Sequence, residues 1–107
     1  MSLTMNYDKI DDKWVFNPSG DIDIYTSNDF REKIMGAFEK ENKDILINGD
    51  RLEYIDSTGL GALIFILKNI QDRGFKLYLE NIKPNIKKLL SITELDKVFI
   101  IRGDSNE

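Results

Sequence analysis

Between Leu60 and Ile70 the chain reads Leu-Gly-Ala-Leu-Ile-Phe-Ile-Leu-Lys-Asn-Ile, apolar on nearly every side for two helical turns. Its longest unbroken apolar run, Leu60 to Leu67 around Gly61, is eight residues, far short of the ~20 a bilayer span needs. A helix of this kind must be packed on most of its circumference, so the rest of the 107 residues has to supply its cover. That length fits one domain with a single core.

Strand and helix signals alternate around it. Tyr7 to Ile10 and Trp14-Val15-Phe16 are short strands separated by the polar turn Asp11-Asp12-Lys13, a hairpin pattern. Pro18-Ser19-Gly20 reads as a second turn, and Asp21-Ile22-Asp23-Ile24-Tyr25 alternates at the strand period. Thr26 or Ser27 can cap the helix that follows, in which Phe30, Ile34 and Phe38 recur on one face with Ala37 beside them.

Asp44-Ile45-Leu46-Ile47 is a strand covered on both faces, interrupted by Asn48-Gly49-Asp50-Arg51 before Leu52, Tyr54 and Ile55. After the apolar helix, Gln71-Asp72-Arg73-Gly74 is a polar stop, and Phe75, Leu77 and Leu79 alternate with Lys76, Tyr78 and Glu80 as a strand. Pro84 opens a third helix carrying Ile86, Leu89, Leu90 and Thr93, and Val98-Phe99-Ile100-Ile101 is a final strand.

The order β-β-α-β-α-β-α-β predicts an α/β fold with a mixed four- to five-stranded sheet, an N-terminal antiparallel hairpin and three to four helices. Each strand-helix-strand step implies a right-handed crossover between parallel strands. Residues 5–103 form the expected domain, with 1–4 a disordered or cloning-derived leader and 104–107 a tail. In an open α/β sheet, functional atoms lie beyond the carboxyl ends of the parallel strands. Two loops qualify there, Asp21 to Ser27 and Asp56 to Gly61.

The inventory of side chains narrows the chemistry. With no Cys and no His, thiolate nucleophiles, imidazole or thiolate zinc sites and the commonest general base are absent. A hydrolase built on Ser57 would have only Lys or carboxylate as its base. Fifteen basic against nineteen acidic residues give a net charge of −4, which disfavours a nucleic-acid-binding face. The N-terminal residues carry no basic region followed by an apolar run, so the expected location is cytoplasmic, with no membrane contact.

Ser57 or its neighbour is expected at the N-cap of the apolar helix, where a side-chain oxygen accepts orphan N–H groups. A well-capped helix with closely packed glycines accounts for the motif by itself. An exposed hydroxyl there is also reachable by a kinase, and the helix terminus tolerates a phosphate. That phosphate adds about −1.5 to −2 charges beside Asp56, Asp23 and Asp21. Dipole stabilisation within the chain is about 0.3–2 kcal/mol, whereas like charges in a docked interface cost several kcal/mol. The expected output is therefore partner release rather than unfolding.

Gly20-Asp21-Ile22-Asp23-Ile24-Tyr25-Thr26, followed by Tyr54-Ile55-Asp56-Ser57-Thr58-Gly59-Leu60-Gly61, resembles the STAS domain of bacterial anti-sigma factor antagonists. The resemblance runs from about Met5 to Ile101 and includes Leu79-Glu80-Asn81 and the helix from Leu89 to Leu95. One departure is Glu94, where many relatives have glycine.

The resemblance implies a partner switch. The unphosphorylated chain would bind an anti-sigma factor that is itself a serine kinase, freeing a sigma factor, and a serine phosphatase would reverse phosphorylation. Carried over by position, Ser57 would be the phosphoacceptor. Asp21, Asp23, Tyr25, Thr26, Asp56, Ser57, Thr58, Gly59 and Leu60 would form the partner surface, with Asp23 close to Ser57 and Gly61 supporting helix packing. The chain would be a substrate rather than an enzyme, need no cofactor or metal, and be a monomer when free.

Other readings place a STAS-like chain in a lipid-transport or other regulatory complex, or take Asp11-Asp12, Asp50 and Lys83-Pro84 for a receiver's phosphoacceptor set. The span from Asp50 to Lys83 is too short for the receiver's missing strand-helix units. Asp21-Ile22-Asp23 superficially matches the acidic pair of haloacid-type phosphohydrolases, without their continuous apolar lead-in strand.

Overall fold

The computed structural model describes residues 2–102; the expected tail at 104–107 lies outside them. Strands β1 (Leu3–Ile10) and β2 (Lys13–Ile22) form the antiparallel hairpin, followed by α1 (Ser27–Lys40), β3 (Asp44–Asn48) and β4 (Arg51–Ile55). Then come α2 (Ser57–Gln71), β5 (Leu77–Glu80), α3 (Pro84–Ile92), a 3-10 turn (Leu95–Lys97) and β6 (Ile100–Arg102).

The hairpin turns on two residues, Asp11 and Asp12, both with positive φ (50° and 67°), as a right-twisted two-residue turn demands. β1 begins earlier than expected. Leu3 pairs with Gly20 and Thr4 with Ser19, and the Ser2 carbonyl accepts the Asp21 N–H at 3.0 Å. Leu3 and Thr4 of the expected leader are therefore built into the sheet.

The sheet is mixed, in the order β1-β2-β3-β5-β6, with β4 paired to β2 off that path. Six strands stand where four to five were expected, because a turn at Gly49, whose carbonyl accepts the Leu52 N–H at 3.1 Å, breaks the run from Asp44 to Ile55 into two strands that both pair with β2. β2 pairs in parallel with β3 over Lys13–Phe16 and with β4 over Ser19–Ile22. Pro18, which has no N–H to offer, falls in the gap between those two registers. Pro18-Ser19-Gly20 is thus strand interior rather than a turn, with the irregularity displaced to a register shift between Gly20 and Asp21.

One face of the sheet carries Phe16, Ile22, Ile45, Ile47, Leu77 and Leu79, all at most 2% exposed. Against it pack Phe30, Ile34 and Phe38 of α1, Leu63, Ile66 and Ile70 of α2, and Ile86 and Leu90 of α3. The periodicities seen in the sequence are those of this core. Phe99 also enters it, and the 3-10 turn before it delays the last strand to Ile100, two residues later than expected.

The opposite face carries a row of side-chain amides that crosses the strands. Asn17 Nδ2 donates to Asn6 Oδ1 at 3.1 Å, Asn48 Nδ2 to Asn17 Oδ1 at 3.1 Å, and Asn81 Nδ2 to Asn48 Oδ1 at 3.3 Å. Amides suit such a row because each both donates and accepts.

Candidate functional site

The pairing of Ile22 with Ile55 ends two parallel strands side by side, which sets the 23–26 loop against the start of α2. Two hydrogen bonds join the loops directly. Asp56 N–H donates to the Ile22 carbonyl at 3.2 Å, and Ile24 N–H donates to Asp56 Oδ2 at 3.3 Å. The two segments singled out in the sequence, some thirty residues apart, form one surface.

Asp56 is the N-cap of α2, and its Oδ1 accepts both the Gly59 N–H at 3.0 Å and the Thr58 hydroxyl at 2.6 Å. These bonds, that from Thr58 foremost and the Gly59 amide next, hold its carboxyl below the usual aspartate range. The helix begins at Ser57, so of the expected cap candidates it is the neighbour, Asp56, that takes the N-cap. Ser57 and Thr58 are both exposed, and the Ser57 hydroxyl makes no hydrogen bond to any described residue.

In the first loop β2 stops at Ile22, short of the expected strand end at Tyr25. Asp23 causes the stop, because its Oδ1 accepts the Tyr25 N–H at 2.9 Å and the Thr26 N–H at 3.2 Å, turning the chain. Thr26 Oγ1 donates to the Asp21 carbonyl at 2.7 Å and accepts the Asp23 N–H at 2.9 Å. Thr26 occupies the N-cap position of α1, yet with its hydroxyl engaged in the loop it makes no side-chain cap bond.

Three expected surface residues are structural instead. Asp23 is 4% exposed and serves its own loop. Gly59 is buried, and a Cβ there would lie 2.4 Å from the Ile22 carbonyl oxygen and 2.9 Å from Ile55 Cγ2, so glycine is what lets α2 approach β2. Leu60 is 8% exposed and belongs to the core. Gly61, assigned a packing role in the sequence, is exposed with nothing within 4 Å of an added Cβ. The packing role falls to Gly59.

What does face water is Tyr25 (81% exposed), Ile24 (65%) and Tyr54 (50%), around Asp21, Asp56, Ser57 and Thr58. Ile24 and Tyr54 were not among the expected partner residues; alternation beside the buried Ile55 was the signal for Tyr54, whereas Ile24 shares the strand parity of the buried Ile22 and is exposed because β2 stops at Ile22. Beside Ser57 a groove of about 560 Å³ runs to α3, lined by Tyr54, Leu60, Asn85, Leu89 and Thr93 among others. Asn85 Nδ2 fixes its far wall by donating to the Glu53 carbonyl at 3.1 Å. Among the described residues no cluster of His, Cys, Asp or Glu could hold a metal ion, and no helix is long and apolar enough to cross a membrane.

A mixed sheet that sets a capped, hydroxyl-bearing helix start beside an acidic turn places the chain in a defined class. The sequence matches the STAS domain family over residues 4–107, and the chain belongs to that family. It is 34% identical to the anti-sigma-B factor antagonist of Bacillus subtilis (strain 168) over 89 residues, 83% of this chain and 81% of that one. The anti-sigma-B factor antagonist of Staphylococcus aureus (strain NCTC 8325) aligns along the whole of both chains at 28% identity. The fold matches the solved Bacillus cell fate determinant SpoIIAA in its phosphorylated form with a TM-score of 0.73 at 20% identity, covering 96% of this chain and 95% of that one.

Proposed function

We propose that this chain is an anti-sigma factor antagonist whose binding is switched by phosphorylation of Ser57. The observation that carries this reading is the Ser57 hydroxyl, exposed and without a hydrogen bond to any described residue at the first turn of a buried helix. The names of its relatives and the phosphorylated form of one structural neighbour support it. In the unphosphorylated state Ile24, Tyr25 and Tyr54 offer an apolar, aromatic contact area ringed by Asp21 and Asp56. An anti-sigma factor with serine kinase activity would seat there.

Phosphate on Ser57 then adds about −1.5 to −2 charges in the middle of that area. The helix N-terminus offsets part of the cost inside this chain, while the docked partner meets an acidic group where it had met a hydroxyl. The complex loses more than the fold does, so the partner leaves. A serine phosphatase would restore the binding form.

The test is calorimetric titration with an anti-sigma-B factor, together with ATP labelling and peptide mass spectrometry. Ser57→Ala should bind like the wild type and take up no phosphate, whereas Ser57→Asp should bind at least about tenfold more weakly. Tyr25→Ala and Tyr54→Ala should each weaken binding by about tenfold or more, as exposed aromatic anchors do. Full affinity in all three weakened variants would move the interface elsewhere, and undiminished labelling of Ser57→Ala would remove the switch.

A further inference from the structure

Two hydroxyls stand next to each other in the first turn of α2, in different surroundings. Thr58 Oγ1 donates to Asp56 Oδ1 at 2.6 Å, and the same carboxylate is held by the Gly59 N–H at 3.0 Å and the Ile24 N–H at 3.3 Å. Ser57 has no such partner among the described residues. We infer that Asp56 selects the acceptor, tying the Thr58 hydroxyl into the helix cap and leaving Ser57 as the hydroxyl that takes phosphate. This inference rests on the partner-switch reading above and names the residue that makes it site-specific.

In the transfer, the acceptor oxygen attacks the γ-phosphorus of a nucleoside triphosphate held by the kinase. The new O–P bond forms as the bond to the β,γ-bridging oxygen breaks; the nucleoside diphosphate leaves with that electron pair, and the hydroxyl proton passes to a base on the kinase. At Ser57 this costs the chain no internal hydrogen bond. At Thr58 the departing proton is the one that joins Thr58 to Asp56.

The product at Thr58 would set a phosphate against a carboxylate with no proton between them. Asp56 cannot turn aside without releasing the amides of Gly59 and Ile24, one closing the cap and the other joining the two loops. The repulsion is worth a factor of about a hundred or more against Thr58. Nor does Asp56 activate Thr58 as a base, since the bond itself holds its carboxyl below the usual range. The helix dipole reaches both hydroxyls and does not discriminate. Asp56 is thus a positioning residue.

The experiment is site-resolved mass spectrometry after incubation with an anti-sigma-B factor kinase and ATP. Wild type should carry phosphate on Ser57 with Thr58 at least about a hundredfold lower, and Ser57→Ala should stay at that low level. Asn caps a helix as well as Asp does but carries no charge. Ser57→Ala combined with Asp56→Asn should therefore label Thr58 at least about tenfold faster than Ser57→Ala alone.

Thermal melts establish that the double variant is folded; if it is not, labelling of Ser57→Ala decides. Independently, Thr58→Val should raise the Asp56 carboxyl titration followed by NMR. Phosphate on Thr58 as readily as on Ser57, no gain in a folded double variant, or an unmoved Asp56 titration would each overturn the selection. A wild type that takes no phosphate overturns the partner-switch reading itself.

Discussion

At the scale of single residues, the two glycines of Asp56-Ser57-Thr58-Gly59-Leu60-Gly61 are alike in sequence and opposite in role. Gly59→Ala forces a methyl against the Ile22 carbonyl, and we expect a loss of about 1–3 kcal/mol, as for other overpacked sites. Gly61→Ala fills open space on the helix surface and should gain about 0.5–1 kcal/mol. Urea denaturation of the two variants checks the pair, and equal effects would refute the assignment. Asp23 shows the same limit of motif reading. Its type and position suit a surface contact, and only its bonds to the Tyr25 and Thr26 amides reveal a turn-former. Glu94 is legible in the other direction. Its φ of 61° lies in the left-handed region that favours glycine, the residue that the resemblance sets at that place.

At the scale of elements, helices were legible because their apolar stripes are buried against one sheet face, and strand ends were not. The end of β2 depends on side chains that compete for backbone N–H groups, and the split between β3 and β4 depends on which stretch of β2 each pairs with. The asparagine row belongs to this scale as well. Asn48 donates to Asn17, accepts from Asn81 and also accepts the Asp50 N–H at 3.1 Å, where the chain leaves β3 for β4. Asn48→Ala should cost about 1–3 kcal/mol through the partners it strands. Amide hydrogen exchange should quicken at Asp50 and Arg51 in that variant; unchanged protection there would show that the row does not hold the crossover.

At the scale of the whole molecule, charged groups tie the hairpin tip to the end of α1. Lys43 Nζ, its side chain 12% exposed, lies 2.6 Å from Asp12 and 3.3 Å from Glu41, and Lys9 lies 2.8 Å from Glu41. The bond from Lys43 lowers Asp12, and bonds from Lys9 and then Lys43 lower Glu41; Asp56 is lowered by Thr58. Lowered carboxyls contribute stability above their unfolded values of about 3.9 and 4.3, and that contribution is lost as pH falls through their folded values. Lys43, raised chiefly by Asp12, contributes below its unfolded value of about 10.4 and loses that contribution as pH rises through its folded one. Lys43→Met should therefore flatten the decline in melting temperature below about pH 4; an unchanged slope would show that this network is silent. The sequence by itself determined the α/β class, the core and the two candidate loops, because apolar periodicity and capping chemistry act over a few residues. Only the tertiary structure decided which of those loop residues face water. The burial of Gly59 against Ile22 and Ile55, and the bonds that tie Asp56 to Ile22 and Ile24, follow from the pairing of β2 with β4, a contact between segments about thirty residues apart.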